Sequence, residues 1–562
     1  MHLPIGISDF KKLIESGCYF VDKSLFIKEL IIDTTEVVLL PRPRRFGKTT
    51  ILYMAHYFFD CTSGENNAHL FHDLAIGKEA ACMAMQGTVP SIFLTFKGIK
   101  ASTFQKSYLS LAEKVAGLYK KYEFLLEGDL LSAKEKQDFI HLCSETAPVV
   151  TLENSLKQLT KLLYRKYQKK VMIFLDEYDA PIQTAYLNGY YKEMVDFMRV
   201  FLGESLKDNE YLQKGVITGI LRIAQASIFS DLNNIETYSL LRREYSEYFG
   251  FTEDEVMALL KKAELLHCSE DIKAWYNGYQ VEELRLYNPW SIINCIKQNG
   301  ALKPYWINTS DNALIKQLVT KHRSIIQPLL EELIQGRSVQ RAIDENIVFP
   351  YLEQNTQAFW SLLFFSGYLT VRDFYIGDDG LFQCEVCIPN QELVTLYVRM
   401  VREWFTEKLD ITRYEELIHA FTQNNRMAFQ EILQSYIRES GSYFDFNAQT
   451  TEAVYHALVL GLVAGLRDNY IIHSNRESGL GRCDVAMIPK DITKHQAMIL
   501  EFKRTDILEK LEATAEAALN QISQKDYAAL LAQYSVKTIT AWGIAFAGKN
   551  VFIATRELAT DM

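Results

Sequence analysis

The chain has 562 residues, enough for about three or four domains at the usual domain size of roughly 100–200 residues. Hydrophobic residues make up 48% and charged residues 23%, with 27 glycines and 12 prolines, so collagenous and largely disordered proteins are excluded. The formal net charge of -10 argues against a protein that coats nucleic acid through a broadly basic surface. A local basic groove stays compatible with this charge.

The cysteines and the apolar stretches indicate the compartment. Nine cysteines lie scattered over the chain, and an odd, scattered set favours a reducing cytoplasm over a disulfide framework. We interpret the close pair Cys384 and Cys387 as strand cysteines rather than a zinc or redox site. The N-terminus lacks the apolar core of a signal peptide, and the apolar residues 453–466 are too few for a membrane span. The sequence therefore predicts a cytoplasmic protein without a membrane partner.

Short β-branched runs alternate with amphipathic stretches in the N-terminal part, a pattern typical of an α/β fold with a parallel sheet. The runs that predict buried strands are residues 36–40 (EVVLL), 91–96 (SIFLTF), 171–175 (VMIFL) and 215–221 (GVITGIL). Helical periodicity covers residues 103–120 and 152–167. The long interval before the third strand predicts a helical insertion near residues 103–151.

A loop that ends in Gly-Lys-Thr, residues 41–50 (PRPRRFGKTT), joins the first strand to an apolar helix. In such a loop the backbone N–H groups and the helix N-terminus face an anion, the lysine reaches the β- and γ-phosphates, and the hydroxyl binds Mg²⁺. An ordinary helix start is the alternative, because Arg42 stands where the usual pattern has glycine. The predicted ATP-binding residues are Arg45, Phe46, Gly47, Lys48, Thr49, Thr50 and Asp176, with Thr49 and Asp176 at the Mg²⁺ ion.

Two carboxylates, Asp176 and Glu177, end the third predicted strand. An aspartate at the tip of a buried parallel strand can orient the water shell of Mg²⁺, and the following glutamate can polarise the attacking water. We therefore assign Glu177 a catalytic role; the alternative is that both residues cap the next element. Thr218, on the next strand, is a candidate contact of the γ-phosphate or the attacking water, or a plain residue of the sheet.

Residues 252–440 have a mostly helical pattern, with periodic runs at 313–319 and 393–405. The aromatic turns at 275–279 and 287–290 are interpreted as packing corners, with base stacking as the alternative. The side chains of Arg42, Arg44 and Arg45 are expected to face phosphate rather than DNA or another subunit. Residues 19–23 could contact the base or ribose of a nucleotide, or form an N-terminal clasp, and the sequence leaves both readings open.

The C-terminal part returns to an α/β pattern. The pattern predicts a helix at residues 452–466, strands near residues 470, 484 and 500, a long helix at 507–531, and strands at 539–546 and 551–554. In the strand that contains Glu501 and Lys503, these two side chains project to one side while Phe502 enters the core. Asp484, on the neighbouring strand, can meet Glu501 to bind Mg²⁺.

These residues form a D…E-x-K constellation, as in restriction-endonuclease-like nucleases. Lys503 would orient or deprotonate the attacking water, and Glu452, at the start of the helix before the sheet, is a candidate third carboxylate. The predicted catalytic residues here are Glu452, Asp484, Glu501 and Lys503, with Asp484 and Glu501 as metal ligands. An ordinary cross-strand ion pair is the alternative. Gln521 and Tyr527, further along, are expected to contact DNA or support the site, and helix packing accounts equally well for Tyr527.

Motifs along the whole chain occur together: RPRRFGKT at 42–49, FLDEYD at 174–179, WYNGY at 275–279, YNPWS at 287–291, GRCD at 481–484 and EFK at 501–503. With them the chain resembles bacterial and archaeal AAA-ATPase-like proteins that carry a C-terminal PD-(D/E)XK nuclease-superfamily domain. Cys483 stands where the superfamily name implies proline, whereas Arg42 is expected in this family. The resemblance implies a P-loop NTPase (AAA-like) parallel sheet over residues 1–251, a helical lid or middle region over 252–440, and a restriction-endonuclease-like α/β core over 441–562.

The resemblance implies an ATP-binding and ATP-hydrolysing protein coupled to a Mg²⁺-dependent DNA endonuclease, with a role in defence or mobile elements. One alternative is an ATP-dependent regulatory or assembly scaffold whose nuclease-like domain binds nucleic acid or protein without cutting. Another is a nucleotide switch that hydrolyses ATP slowly or not at all. The presence of all four nuclease residues favours cutting, and the sequence leaves a homo-oligomer open.

Overall fold

The structure is a computed structural model of the whole chain. It describes residues 2–223, 233–307, 313–321, 329, 332–334, 336–347, 349–352, 354–406, 411–440, 459, 466, 469–478, 481–525, 534, 536 and 538–559. The described residues form two compact units, one of residues 1–321 and 340–393 and the other of residues 322–339 and 394–562. The division into three parts at residues 251 and 440 stays a prediction.

A parallel sheet lies at the centre of the first unit. Its strands are β1 (Val37–Pro41), β2 (Ser91–Thr95), β3 (Val171–Asp176), β4 (Leu212–Gly219) and β5 (Ile235–Thr237). They are ordered β2-β3-β4-β1-β5, and every neighbouring pair is parallel. The apolar runs of β1 and β3 are buried throughout because helices cover both faces of such a sheet. The prediction of a parallel α/β sheet is confirmed, whereas β5 was not predicted because three residues give too short a pattern.

Helices connect these strands. They are α1 (Phe10–Glu15), α2 (Phe26–Ile32), α3 (Lys48–Phe59), α4 (Ala80–Met83), α5 (Phe104–Lys120), α6 (Ala133–Cys143), α7 (Val149–Glu153), α8 (Ser155–Tyr167), α9 (Ala180–Asn188) and α10 (Tyr191–Leu206). Helices α5 to α7 lie in the insertion predicted near residues 103–151, and α8 corresponds to the helix predicted at residues 152–167. Because all five strands are parallel, their carboxyl ends meet at one edge of the sheet, where ligands of such sheets bind.

The middle of the chain is mainly helical, as predicted, with small sheets inserted. Its elements are α11 (Glu253–Lys262), α12 (Ser269–Tyr276), β6 (Tyr279–Val281), β7 (Leu284–Leu286), α13 (Pro289–Lys297), α14 (Ala313–Lys321), β8 (Val339–Ile343), α15 (Thr356–Phe365), β9 (Thr370–Ile376), β10 (Phe382–Cys387), α16 (Gln391–Thr406), α17 (Ile411–Thr422) and α18 (Arg426–Ser440). Asn288 caps α13, since its side-chain oxygen accepts hydrogen bonds from the backbone N–H groups of Trp290 and Ser291.

A mixed sheet lies at the centre of the second unit, in the order β11-β12-β13-β14-β15. Its strands are β11 (Tyr470–Ser478), β12 (Gly481–Pro489), β13 (Ala497–Arg504), β14 (Thr538–Ala547) and β15 (Asn550–Ala559), and helix α19 (Leu511–Gln524) connects β13 to β14. The pairs are antiparallel except β13 with β14, which are parallel. Ala515, Leu519 and Ile522 of α19 pack on the sheet in a buried apolar cluster. The predicted nuclease-like α/β core is thus confirmed at the level of fold, and the predicted helix at 452–466 lies almost entirely outside the described residues.

Candidate nucleotide site and candidate nuclease site

The phosphate loop lies at the carboxyl edge of the parallel sheet, between the end of β1 and the start of α3. Gly47 is the residue before α3 and has a φ of 84°, a conformation that glycine adopts without strain. The first N–H groups of α3 have no side-chain cap at Gly47, so the helix N-terminus is available to an anion. This is the local geometry that a phosphate group requires.

Three threonine hydroxyls converge on the carboxylate of Asp176. Thr49 and Thr95 donate to its Oδ2 atom at 2.9 and 3.1 Å, and Thr218 donates to its Oδ1 atom at 3.0 Å. Burial raises the pKa of Asp176 above its ordinary value, and the charge of Glu177 raises it further, while the hydroxyls of Thr49 and Thr218 lower it. The structure thus brings together the two predicted magnesium ligands, and Thr95 was missed because its hydroxyl ends a strand without a recognisable motif.

Lys48 is buried beside this carboxylate. Its Nζ atom donates to the backbone oxygens of Arg42 and Pro43, each at 2.8 Å. Burial lowers the pKa of Lys48, and the negative charge of Glu177 opposes that shift. Glu177 has a φ of 54°, and its side chain lines the cavity that opens above the phosphate loop. It therefore lies on the ligand side of the strand tip.

A cavity of about 420 Å³ opens above the loop, which is within the usual size of a small-molecule site. The charged residues that line it are Lys23, Arg44, Arg45, Lys48, Lys97, Lys100, Glu177 and Asp179. The apolar residues that line it include Leu3, Ile7, Tyr19, Val21, Leu259, Trp290 and Ile293. Thr49 and Thr50 also line it, and the guanidinium group of Arg45 lies 4.5 Å from the ring centre of Trp290. The lining therefore offers cationic groups that suit phosphate and aromatic and aliphatic groups that suit a flat apolar group.

Two predicted loop side chains are used for packing. Arg42 was expected to face phosphate, and this was wrong, since its side chain is 1% exposed and donates to the backbone oxygens of Pro41 and Tyr238. Burial lowers its pKa to about 9. Phe46 is buried too, with its ring edge-on to Tyr279 at 4.9 Å. These two side chains fix the base of the loop, and phosphate contacts at these positions would come from the backbone.

The N-terminal segment is clasped to the rest of the unit, and its contact with the base or ribose of a nucleotide stays a prediction. Asp22 accepts a hydrogen bond from the backbone N–H of Ala75, and Lys23 pairs with Glu255 at 2.6 Å, so these two residues clasp the segment to the unit. Tyr19 and Val21, just before them, line the cavity. The cavity wall is therefore held in place by neighbouring charged residues.

Asp179 was not among the predicted site residues. It is buried, and its Oδ2 atom accepts hydrogen bonds from the backbone N–H groups of Ile220 and Leu221 at 3.0 and 3.1 Å. It thereby ties the chain beyond β4 to the tip of β3. The signal was present in the motif FLDEYD, three positions after Asp176.

In the second unit the D…E-x-K residues occupy neighbouring strands. The register of β12 on β13 pairs Val485 with Leu500, so Asp484 and Glu501 take the next pair of positions. The Oδ2 atom of Asp484 accepts a hydrogen bond from the backbone N–H of Phe502 at 2.8 Å. Burial raises the pKa of Asp484 to about 6, although this N–H group and the charge of Lys503 lower it. Glu501 is 3% exposed.

Gln521 of α19 connects the two remaining residues. The Nζ atom of Lys503 donates to its oxygen at 2.6 Å, and its amide nitrogen donates to the Oε1 atom of Glu501. Of the two roles considered for Gln521, the contacts favour support of the site. Glu452 and Tyr527, also named from the sequence, lie outside the described residues.

The donor set fits a hard cation only in part. Asp484 and Glu501 supply carboxylate oxygens, the ligands that Mg²⁺ prefers. Among the described residues, however, no group of three or more His, Cys, Asp and Glu side chains is placed to hold a metal ion. The structure therefore shows two carboxylates on adjoining strands, and Glu452 stays a prediction.

Comparison with known families agrees with this geometry. Residues 4–229 match a family model described as a predicted AAA-ATPase, and residues 450–556 match one described as the PD-(D/E)XK nuclease superfamily. The chain thus carries an AAA-ATPase-like domain followed by a PD-(D/E)XK nuclease-superfamily domain.

A curated relative adds a limited comparison. The chain is 27% identical over 373 residues to an uncharacterized protein in the vnfD 5' region of Azotobacter chroococcum mcd 1. The matched segment covers 66% of this chain. The match spans 64% of the length of that relative. In the described part of the chain, the helices are too short or too polar to serve as membrane spans.

Proposed function

We propose that the first unit binds and hydrolyses ATP with Mg²⁺, and that the C-terminal domain cleaves DNA with Mg²⁺ under control of the nucleotide state. The convergence of Thr49, Asp176 and Lys48 below a cavity at the carboxyl edge of the sheet carries the proposal. The matches to an AAA-ATPase-like domain and a nuclease-superfamily domain support it.

In this proposal the phosphate groups of ATP lie against the loop. Lys48 turns from the backbone oxygens of Arg42 and Pro43 towards the β- and γ-phosphates, and the N–H groups at the start of α3 donate to their oxygens. Thr49 and Asp176 would hold Mg²⁺, which when bound offsets phosphate charge. Glu177 orients and polarises the attacking water.

The base would lie against the apolar residues of the same cavity. Tyr19, Val21 and Trp290 all line it, and an aromatic surface with aliphatic neighbours suits a planar purine. Arg45 belongs to the loop itself, and its guanidinium group, which lies over Trp290, would help to neutralise phosphate charge as well.

At the second site Asp484 and Glu501 would hold Mg²⁺, which when bound polarises the scissile phosphate. Lys503 orients or deprotonates the water, and Gln521 holds the side chains of Lys503 and Glu501 in place by hydrogen bonds to both. The helical middle region would link the two sites. Defence against foreign DNA or mobile-element biology, a cytoplasmic location and a homo-oligomeric state belong to the same proposal.

One observation favours a second candidate function, an ATP-dependent scaffold whose nuclease-like domain binds without cutting. Gln521 already forms hydrogen bonds with both Glu501 and Lys503, and such a network can serve only to stabilise the fold. The two functions differ in one outcome, the presence of Mg²⁺-dependent cleavage.

Cleavage by the full chain tests the choice. Plasmid and single-stranded DNA are incubated with Mg²⁺, and wild type is compared with Lys503→Ala and with Lys510→Ala, an exposed lysine nearby. We expect Lys503→Ala to lose cleavage by a factor on the order of 10² or more while ATP hydrolysis is unchanged, because the lysine acts at the reacting water. Cleavage that persists in Lys503→Ala would remove the nuclease assignment, and no cleavage by wild type under any nucleotide condition would favour the scaffold.

A further inference from the structure

The backbone oxygen of Arg44, inside the phosphate loop, is held from outside the loop. The indole Nε1–H of Trp306 donates to it at 3.0 Å, and the side-chain amide of Asn288 donates at 3.4 Å. The peptide unit is planar and trans, so its C=O and the following N–H point in opposite directions. Fixing the oxygen of Arg44 therefore fixes the direction of the N–H of Arg45.

The conformation of this part of the loop is unusual and needs such support. Arg45 has a φ of 66°, which costs free energy for a residue with a side chain. The guanidinium group of Arg45 also lies over Trp290, next to Ser291 on α13. The loop is thus braced by residues of the middle region at both its backbone and its side chain.

A buried carboxylate holds these bracing residues. Glu392, at the start of α16, is 1% exposed. Its Oε1 atom accepts a hydrogen bond from the backbone N–H of Trp306 at 2.5 Å, and its Oε2 atom accepts one from the hydroxyl of Ser291 at 2.7 Å. Trp306 therefore uses one N–H for Glu392 and the other for Arg44. A displacement of the carboxylate displaces the indole that holds the loop.

The carboxyl group of Glu392 lies in a buried environment that disfavours its charged form. Burial raises its pKa to about 7, although hydrogen bonds from Ser291 and from the backbone N–H groups of Trp306 and Ile307 lower it. A leucine at such a depth would avoid the cost of burying a polar group but could not accept these hydrogen bonds, so packing alone does not account for a hydrogen-bond acceptor here.

We propose that Glu392 is a positioning residue of the phosphate loop, acting through Trp306 and Ser291 to keep the loop in the conformation that receives ATP. The inference rests on the proposed function, because it concerns the same nucleotide site. It places a determinant of nucleotide affinity far along the chain from the loop, in the helix that carries the chain from the first unit to the second.

The sharpest test is Trp306→Phe in the full chain, which removes the indole N–H and keeps an aromatic ring. We expect the Kd for ATP to rise roughly five- to tenfold, the effect of one lost hydrogen bond to a buried acceptor. Glu392→Ala should raise it further. Glu392→Gln should stay near wild type, because its amide can still accept from Trp306 and donate to the hydroxyl of Ser291. ATP binding is measured by equilibrium titration, and the melting temperature without nucleotide is recorded for each variant.

Trp360→Phe is the matched control, since Trp360 is equally buried and packs on Phe359 and Arg341. It should change the melting temperature without changing the Kd. If wild type binds ATP and Trp306→Phe binds it equally well, the inference is overturned while the proposed function stands. If wild type binds no ATP, the proposed function fails first. Ser291→Ala, a milder change, keeps the test decisive if Glu392→Ala does not fold.

Discussion

The two candidate sites hold their charged side chains in different ways. At the phosphate loop, three hydroxyls converge on Asp176, and Lys48 and Glu177 line an open cavity. At the nuclease-like site, Glu501 and Lys503 are both engaged by Gln521. At the first site, ATP would displace the contacts of Lys48 with its own loop, and Mg²⁺ would replace the hydrogen bond from Thr49 to Asp176. At the second site, a ligand would have to displace or share the bonds that one side chain, Gln521, makes to both Glu501 and Lys503. The first site is therefore held by several hydroxyl and backbone groups beside a cavity, whereas the second depends on a single supporting side chain.

The largest expected effect is the loss of ATP binding at the first site in Lys48→Ala. The lysine supplies a charge-assisted hydrogen bond to phosphate in a buried place, so we expect the Kd for ATP to rise on the order of 100-fold or more. Isothermal titration with ATP and Mg²⁺ measures the change.

Lys120→Ala, an exposed lysine at the end of α5, is the control and should bind ATP like wild type. An unchanged Kd in a folded Lys48→Ala protein would contradict the assignment of the loop. The melting temperature without nucleotide separates loss of the site from loss of the fold.

We expect a smaller effect on the cleavage rate from Gln521→Ala, which removes the supporting side chain of the second site. Lys503 and Glu501 would lose their common partner, and the loss of a supporting contact of this kind typically costs roughly 10–100-fold. We expect the cleavage rate to fall by about tenfold, with ATP hydrolysis unchanged.

Asn520→Ala is the matched control on the same helix, because Asn520 is exposed and bonds to Arg556 instead. Equal cleavage rates for Gln521→Ala and Asn520→Ala would show that Gln521 does not support the site. The rate is measured at saturating Mg²⁺, so that a change in metal affinity alone does not account for it.

The smallest expected effect is a dependence on pH of the Mg²⁺ affinity at the second site. The pKa of Asp484 is raised to about 6, so the carboxyl group must lose a proton to bind Mg²⁺ below that pH. We expect the Mg²⁺ affinity to fall by up to about tenfold for each pH unit below 6, and Asp484→Asn to lose this dependence. Between the ordinary pKa of Asp and 6 the folded chain holds the extra proton, so its contribution to the free energy of unfolding decreases as pH rises.

Titration calorimetry with Mg²⁺ at several pH values, on wild type and Asp484→Asn, checks the change in affinity, and denaturant unfolding of the same two proteins at these pH values checks the change in the free energy of unfolding. The difference between the two proteins isolates this carboxyl group from other titrating groups. An Mg²⁺ affinity that is independent of pH between 5 and 7 in wild type would contradict the role of Asp484.

The sequence predicted what depends on local pattern. The strand-loop-helix order predicted Lys48 and Thr49, and the position of Asp176 at the tip of a buried parallel strand predicted that it lies beside them. Likewise, alternation along one strand predicted that Glu501 and Lys503 share a side while Phe502 is buried, which the burial of Phe502 and the contacts of Gln521 agree with.

What the sequence did not predict depends on contacts between remote parts of the chain. Arg42 lies in a phosphate-loop motif, and only the burial of its side chain against the backbone of Tyr238 shows that it packs. The link from Glu392 through Trp306 to Arg44 joins three segments with no common motif. Tertiary hydrogen bonds of this kind leave no periodicity or spacing in the sequence.

The most direct test of the account is the ATP dependence of DNA cleavage by the full chain in Mg²⁺. Plasmid cleavage is followed without nucleotide, with ATP, and with a non-hydrolysable analogue, for wild type, Lys48→Ala and Lys503→Ala. We expect wild type to cleave at a rate that changes with nucleotide, Lys48→Ala to cleave at a rate that does not, and Lys503→Ala not to cleave. Wild-type cleavage that is the same in all three nucleotide conditions would contradict the proposed coupling of the two sites.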